Sequence, residues 1–236
     1  MSTFGELLRA TPLRASTRTV EKNDVLPFRH EAEIEETAWP VESVRDEQIY
    51  RLAQQLFFGQ ETGVVRNVGF SAIEASAQAA PMCLDLAKAL ASEGKYDVGL
   101  IDASSDVIPL HQQLRIPASA HSDLTWMVSS RLWFVSRQSW WREPGLQSMS
   151  EQDVERLRDF MRGFDFSVVY CSAVSWLTPR IAQSCDGLVL ILTANKTRRL
   201  VAAQIKEELA KARIPLLGTV LAERRLPVPE GLYRRL

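Results

Sequence analysis

The sequence predicts a doubly wound α/β fold, with a mainly parallel sheet and helices on both faces. Two observations carry this. Short apolar runs alternate with stretches of helical period from residue 45 onward, and strands alternating with helices of about 10–15 residues imply right-handed βαβ crossovers. One run, Leu188-Val189-Leu190-Ile191-Leu192, is continuously apolar, as a strand covered on both faces must be. The totals agree. The chain has 236 residues, 46% hydrophobic and 24% charged, which suits one α/β domain with an appendage and leaves enough chain to bury a core. We divide it into a tail, residues 1–44, and a domain, residues 45–236.

The tail is interrupted by Pro12, Pro27 and Pro40 and carries an acidic patch at Glu31, Glu33, Glu35 and Glu36. It reads as a solvated segment, with partner docking as the alternative. A helix is expected to start near residues 44–47, because Ile49, Leu52, Ala53, Leu56 and Phe57 recur at three- and four-residue spacing on one face. Strands are expected at 68–72, 96–102, 132–135, 166–170, 187–193 and 216–221. Helices are expected at 82–91, 110–114, 123–130, 151–161 (with Ser150 as N-cap) and 197–212. The strands 166–169, 187–193 and 216–221 are expected at the heart of the sheet.

Several function classes are disfavoured. A formal net charge of −1 provides no bulk attraction to nucleic acid. The three cysteines, Cys83, Cys171 and Cys185, form no CxxC pair, so no zinc knuckle or redox motif is suggested, and their low count fits a reducing cytoplasm. Cys171 reads as a buried, inert thiol, because nothing in the spacing of His30, His111 and His121 pairs a base with it. No signal peptide is read at the N-terminus, and no apolar run is long enough for a membrane span.

In a doubly wound sheet, ligands bind at the carboxyl ends of the strands. The loop after the first strand, Ile73-Glu74-Ala75-Ser76-Ala77-Gln78-Ala79-Ala80-Pro81, stands where a phosphate loop belongs. Such a loop uses glycines to converge backbone N–H groups, a lysine for phosphate charge and a Ser or Thr for Mg²⁺. This one has no glycine, and no cationic side chain lies between Arg66 and Lys88. The second strand ends in Asp102, followed by Ala103 and Ser104. A lone aspartate there is more often a turn former or N-cap than a metal ligand. Tyr170 stands at the end of the strand where a metal-handling carboxylate is expected, and a phenol holds Mg²⁺ poorly.

The C-terminal half carries a resemblance. Phe164-Asp165-Phe166-Ser167-Val168-Val169, the stretch Ile181 to Thr193 with Asn195-Lys196-Thr197-Arg198-Arg199 after it, and Leu216-Leu217-Gly218-Thr219-Val220-Leu221 resemble segments of one family. Leu100-Ile101-Asp102 with Pro109-Leu110-His111 is similar to another of its motifs. The family is the bacterial tyrosine kinases of capsule and exopolysaccharide synthesis, within the MinD/ParA-like P-loop group, and the likeness covers about residues 46–236. It implies a P-loop NTPase-like fold. Aligned with the family, Gln78, Ala79 and Ala80 replace the Gly-Lys-Ser/Thr of the Walker A loop. Asp102-Ala103-Ser104 replaces its Asp-x-Asp, and Tyr170 its Walker B aspartate. A vestigial nucleotide site is therefore expected around Gln78, Ala79, Ala80, Asp102, Ser104 and Tyr170, with no catalytic residue, cofactor or metal. Tyr170 is expected to plug the vacated pocket. Glu47 and Arg51 stand where the family has its oligomerisation helix and read instead as an i,i+4 ion pair.

The resemblance implies a non-catalytic pseudo-kinase in the synthesis and export of an exopolysaccharide (capsule, slime or a holdfast-like adhesin). It would dock on a membrane polysaccharide co-polymerase of the chain-length-regulator type, in the cytoplasm at the inner face of the membrane, reaching the bilayer only through that partner. A homo-oligomer is possible, and no nucleic acid is expected. The alternatives are an active ATPase or tyrosine kinase with an atypical site, and a degenerate MinD/ParA-type positioning protein. Trp126, Trp133, Trp140 and Trp141 are four of the six tryptophans. Trp126 and Trp133 read as core residues on a helix and a strand. Adjacent in a turn-rich stretch beside Arg142, Trp140 and Trp141 are the candidate partner contacts.

Overall fold

The computed structural model describes residues 44–59, 64–116, 125–141, 149–175 and 177–223. The expected tail lies outside them except for Val44, as do the stretch 142–148 and residues 224–236. Seven strands form one sheet: β1 (Asn67–Ala72), β2 (Val98–Asp102), β3 (Thr125–Ser129), β4 (Leu132–Val135), β5 (Phe166–Ala173), β6 (Gly187–Thr193) and β7 (Leu216–Ala222), in spatial order β3-β4-β2-β5-β1-β6-β7. All neighbours pair in parallel except β3 with β4. The helices are α1 (Val44–Ala53), α2 (Ala79–Ser92), α3 (Leu110–Gln113), α4 (Arg137–Trp140), α5 (Glu151–Arg162), α6 (Thr178–Ala182) and α7 (Arg199–Lys211).

The period-2 geometry of a strand sends alternate side chains to opposite faces, and here both faces are covered. Phe166, Val168 and Tyr170 of β5 join Val189 and Ile191 of β6 in one cluster with α1 and α2. Val169 and Cys171 of β5 pack on the other face with Val154, Leu157 and Met161 of α5. Leu188 and Leu190 of β6 meet Leu209 of α7 there. Each fully buried Leu, Val or Phe contributes about 1.5–3 kcal/mol relative to exposure, so the two-sided core explains why these strands read as continuous apolar runs.

Local sequence sets the helices. Cys83, Leu86, Ala87, Leu90 and Ala91 recur at helical spacing on the buried side of α2, and Pro81 sits in its first turn, where a missing N–H costs nothing. The N-cap Ser150 accepts from the Asp153 amide at 3.2 Å, and the Asp153 carboxylate accepts from the Ser150 amide at 3.0 Å, closing a capping box. α1 runs on into a π-helical turn, Gln54–Phe58, which buries both Leu56 and Phe57. Arg51 and Glu47 make the expected ion pair at 2.6 Å on α1.

Three expectations are corrected. Residues 125–129 are an antiparallel strand, not part of a helix: Thr125, Trp126 and Val128 are β-formers, and Ser130-Arg131 (φ +59° at Arg131) turns the chain back into β4. Trp126 therefore lies on a strand, packed against Phe134 at 4.7 Å between ring centroids. β7 is an edge strand with alternating partial burial and β6 lies next to it, so the heart of the sheet is β2-β5-β1 and only β5 of the three expected strands is at its centre.

Candidate functional site

The carboxyl ends of β1 and β5 frame a cleft of about 290 Å³. Its small wall is Ala72, Ala75, Ala77, Ala79 and Ala173. Its polar wall is Ser76, Asp106, Gln113, Tyr170 and Ser172. Among the described residues no lysine, arginine or histidine lines it.

The loop after β1 is closed on itself. The Gln78 amide donates to Ser76 Oγ at 3.3 Å and the Ala79 amide to the Ser76 carbonyl at 3.4 Å. The Ser76 hydroxyl donates to Glu223 Oε1 at 3.3 Å, tying the loop to the end of β7. Gln78 is exposed, while Ala79 and Ala80 are buried in the core cluster that also holds Tyr170.

Asp102 is buried at the end of β2, and both its oxygens are engaged. Oδ1 accepts from the Ser104 amide at 3.0 Å and the Ser104 hydroxyl at 2.7 Å, and Oδ2 from the Leu110 amide at 3.0 Å. Burial pushes its carboxyl above the usual range, opposed by the Ser104 hydroxyl, the Leu110 and Ser104 amides and the Arg137 charge. The carboxylate folds the chain from 103 to 110 over itself and starts α3. Arg137 reinforces that loop by donating to the carbonyls of Ser104 at 2.6 Å and Asp106 at 3.1 Å.

Tyr170 is 4% exposed and pairs across β5 with Phe70 of β1 and Asp102 of β2. Its hydroxyl donates to Asp106 Oδ2 at 3.3 Å, and Gln113 Nε2 donates to the same oxygen at 3.1 Å. Burial and the Asp106 carboxylate hold the phenol far above its ordinary range, so it stays a donor. Tyr170 forms a wall of the cleft and does not fill it, which corrects the plug expectation: its hydroxyl is drawn aside to Asp106. Two residues on, Ser172 adopts φ +56° and is 4% exposed. Its carbonyl accepts from the Ser71 hydroxyl at 3.1 Å.

Other candidates resolve more simply. Cys171 is buried, its thiol pushed up to about 12 by burial. The ring of His111 is edge-on to Trp126 and Phe134, and His30 and His121 lie outside the described residues. Among the described residues no cluster of His, Cys, Asp and Glu can hold a metal. Trp140 is fully buried, with Nε1 donating to the Asp102 carbonyl at 3.0 Å, so it is not a partner contact. The short helix α4 turns it inward under the β2 loop. Trp141 stacks on it at 5.9 Å, half-buried, with the Arg137 guanidinium 5.9 Å above its ring.

No family model matches this chain, and no curated protein does. Solved structures do. The VpsO kinase domain matches with a TM-score of 0.60 at 17% identity, over 77% of this chain and 97% of that one. The kinase domain of the Escherichia coli tyrosine kinase ETK matches at 0.57 and 13%, over 78% and 79%. A ParA family ATPase from Chlorobium tepidum matches at 0.54 and 14%, over 67% and 73%. The chain shares the doubly wound α/β fold of these proteins.

The segment Ile73–Gln78 joins the first strand to its helix, the place that holds the phosphate loop in P-loop proteins. Of the six residues read as the vestigial site, Ala79 and Tyr170 line the cleft, Ala80 is buried in the same core cluster, and Asp102, paired with Tyr170 across the sheet, is bonded to Ser104. Gln78 stays at the surface. Sequence reasoning passed over Asp106, Gln113 and Ser172. Asp106, four residues after Asp102 in the β2 loop, carried a weak signal. Gln113 carried none, because only the fold of the β2 loop brings α3 back to β5.

Proposed function

We propose that this chain is a non-catalytic pseudo-tyrosine-kinase component of a cell-surface exopolysaccharide synthesis and export machinery. It docks on a membrane polysaccharide co-polymerase at the inner face of the membrane. The observation that carries the reading is the state of the phosphate-loop position. It holds no glycine and no lysine, and two of its donors are turned onto Ser76. Asp102 is engaged by Ser104 and Leu110, and Tyr170 stands where a metal-handling carboxylate is needed. Mg²⁺ wants carboxylate and water oxygens in octahedral array, and the phosphates want cations and free N–H groups. The residues present do not fit Mg·ATP.

The likeness of the fold to kinase domains, together with the kinase-like segments between Phe164 and Leu221, supports the polysaccharide-machinery assignment. Among the described residues no helix is long and apolar enough to cross a membrane. Trp141, the partly exposed member of the tryptophan pair, is the remaining candidate contact.

Two measurements test the reading. Calorimetry with Mg·ATP and Mg·ADP is expected to show no micromolar binding; such binding would promote the active-enzyme alternative. Affinity capture from source cells with partner identification is expected to recover a membrane polysaccharide co-polymerase. Recovery of cell-division or plasmid-partition partners in its place would favour the positioning-protein reading.

A further inference from the structure

The cleft is not merely emptied of anion-binding groups; its charge is inverted. Asp106 lines it, and among the described residues no cation does. Glu74 precedes Ala75 in the same loop, and Glu223 is tied to Ser76 at 3.3 Å. Arg137 is turned to the backbone carbonyls of Ser104 and Asp106, not to the Asp106 carboxylate. That carboxylate is held in place: the Tyr170 hydroxyl and the Gln113 amide both donate to Oδ2, while Oδ1 takes no hydrogen bond among the described residues. Burial keeps the tyrosine protonated, so Asp106 has a lasting donor on one side and an open acceptor on the other.

A second observation lies on the same polar wall. Ser172 is 4% exposed and lines the cleft, and its hydroxyl has no partner among the described residues. Its backbone is in the left-handed region at φ +56°. A serine there is strained and persists where the surroundings impose it, as at ligand clamps. The volume, about 290 Å³, lies near the lower end of small-ligand pockets. The alanines leave room without adding polarity.

We propose that the cleft receives a cationic group, a guanidinium or ammonium, seated between the Asp106 carboxylate and the Ser172 hydroxyl. The position that serves anions in a phosphate loop is thereby converted to the opposite sign. A carboxylate fixed by two neutral donors pairs well with N–H donors, and preorganised groups lose little freedom on binding. The group is carried either by a small free amine or by a basic side chain of a partner. The inference rests on the reading that the cleft does not take Mg·ATP.

Amide NMR of the full chain tests it with three probes: agmatine, acetyl-Gly-Arg-Gly-amide, and the same peptide with neutral citrulline in place of arginine. We expect saturable shifts at Ala75, Asp106 and Ser172 with at least one cationic probe and none with citrulline. Asp106→Asn keeps the bonds from Tyr170 and Gln113, and is expected to weaken binding about tenfold or more. Tighter binding of agmatine assigns the site to a free amine; tighter binding of the peptide assigns it to a partner's side chain. The proposal is overturned if neither cation gives saturable shifts, if citrulline matches arginine, or if Asp106→Asn leaves binding unchanged. A Mg·ATP titration separates the two readings. Shifts of these amides by Mg·ATP would overturn both, whereas silence from ATP and cations alike would overturn this inference alone.

Discussion

Asp102 shows how one buried residue can organise a loop. Its carboxylate is a bracket for the β2 loop, engaged by the amides of Ser104 and Leu110 and the Ser104 hydroxyl. Its native value is raised from the ordinary 3.8, chiefly by burial. Between that ordinary value and the raised one the native state holds more protons than the unfolded chain, so this group's contribution to stability is present below the window and is lost as pH rises through it. Asp102→Asn removes the titration and turns an amide donor toward a backbone N–H. We expect denaturant midpoints measured across the acid range to lose that downward slope, with a cost of about 1–3 kcal/mol for the mispaired buried group. The thiols give a second check at this scale. Cys83 and Cys171 are buried with thiols held protonated. We expect a thiol-specific disulfide reagent to leave both unmodified in the native protein and to label them only in denaturant. Rapid native labelling of Cys171 would revive it as a nucleophile.

At the scale of elements, two features have definite costs. Removing the Ser150 cap leaves the start of α5 without its partner for the Asp153 amide, and we expect Ser150→Ala to cost about 0.5–2 kcal/mol in chemical denaturation. Gly99 lets β2 pass under a ring: a Cβ there would lie 2.5 Å from Phe164 Cδ2. Phe164 is buried and cannot swing into solvent freely. We expect Gly99→Ala to cost roughly 1–3 kcal/mol through overpacking, and a variant as stable as the parent would mean that the Phe164 turn yields easily. The helix over residues 123–130 failed as an expectation because the stretch mixes apolar and polar residues in a way that serves either period. Pairing with β4 decided it.

For the whole molecule, the sheet carries the stability and its upper edge carries the site. β6 lies between β1 and β7 with apolar side chains on both faces. Leu190 meets Leu209 and Ile214 on one of them. Leu190→Asp places a charge there without a partner, a penalty of several kcal/mol, roughly comparable to a domain's whole stability. We expect loss of cooperative melting by circular dichroism. The cleft draws one wall each from the β1, β2 and β5 ends, so its electrostatics belong to no single segment.

The sequence by itself determined the two-sided sheet. Strands buried on both faces must be continuously apolar, and helices beside them must be periodic, so β5, β6, α2 and α5 were legible within a few residues. It also determined what the loop after β1 lacks, because glycines and a lysine are present or absent in the letters. Only the tertiary structure decided where Trp140 goes, that β7 is an edge, and that Asp106, Gln113, Tyr170 and Ser172 meet. The reason is physical. Burial and periodicity are short-range patterns along the chain, whereas a cleft forms where segments distant in sequence converge, and its charge depends on which side chains their folding turns toward one another.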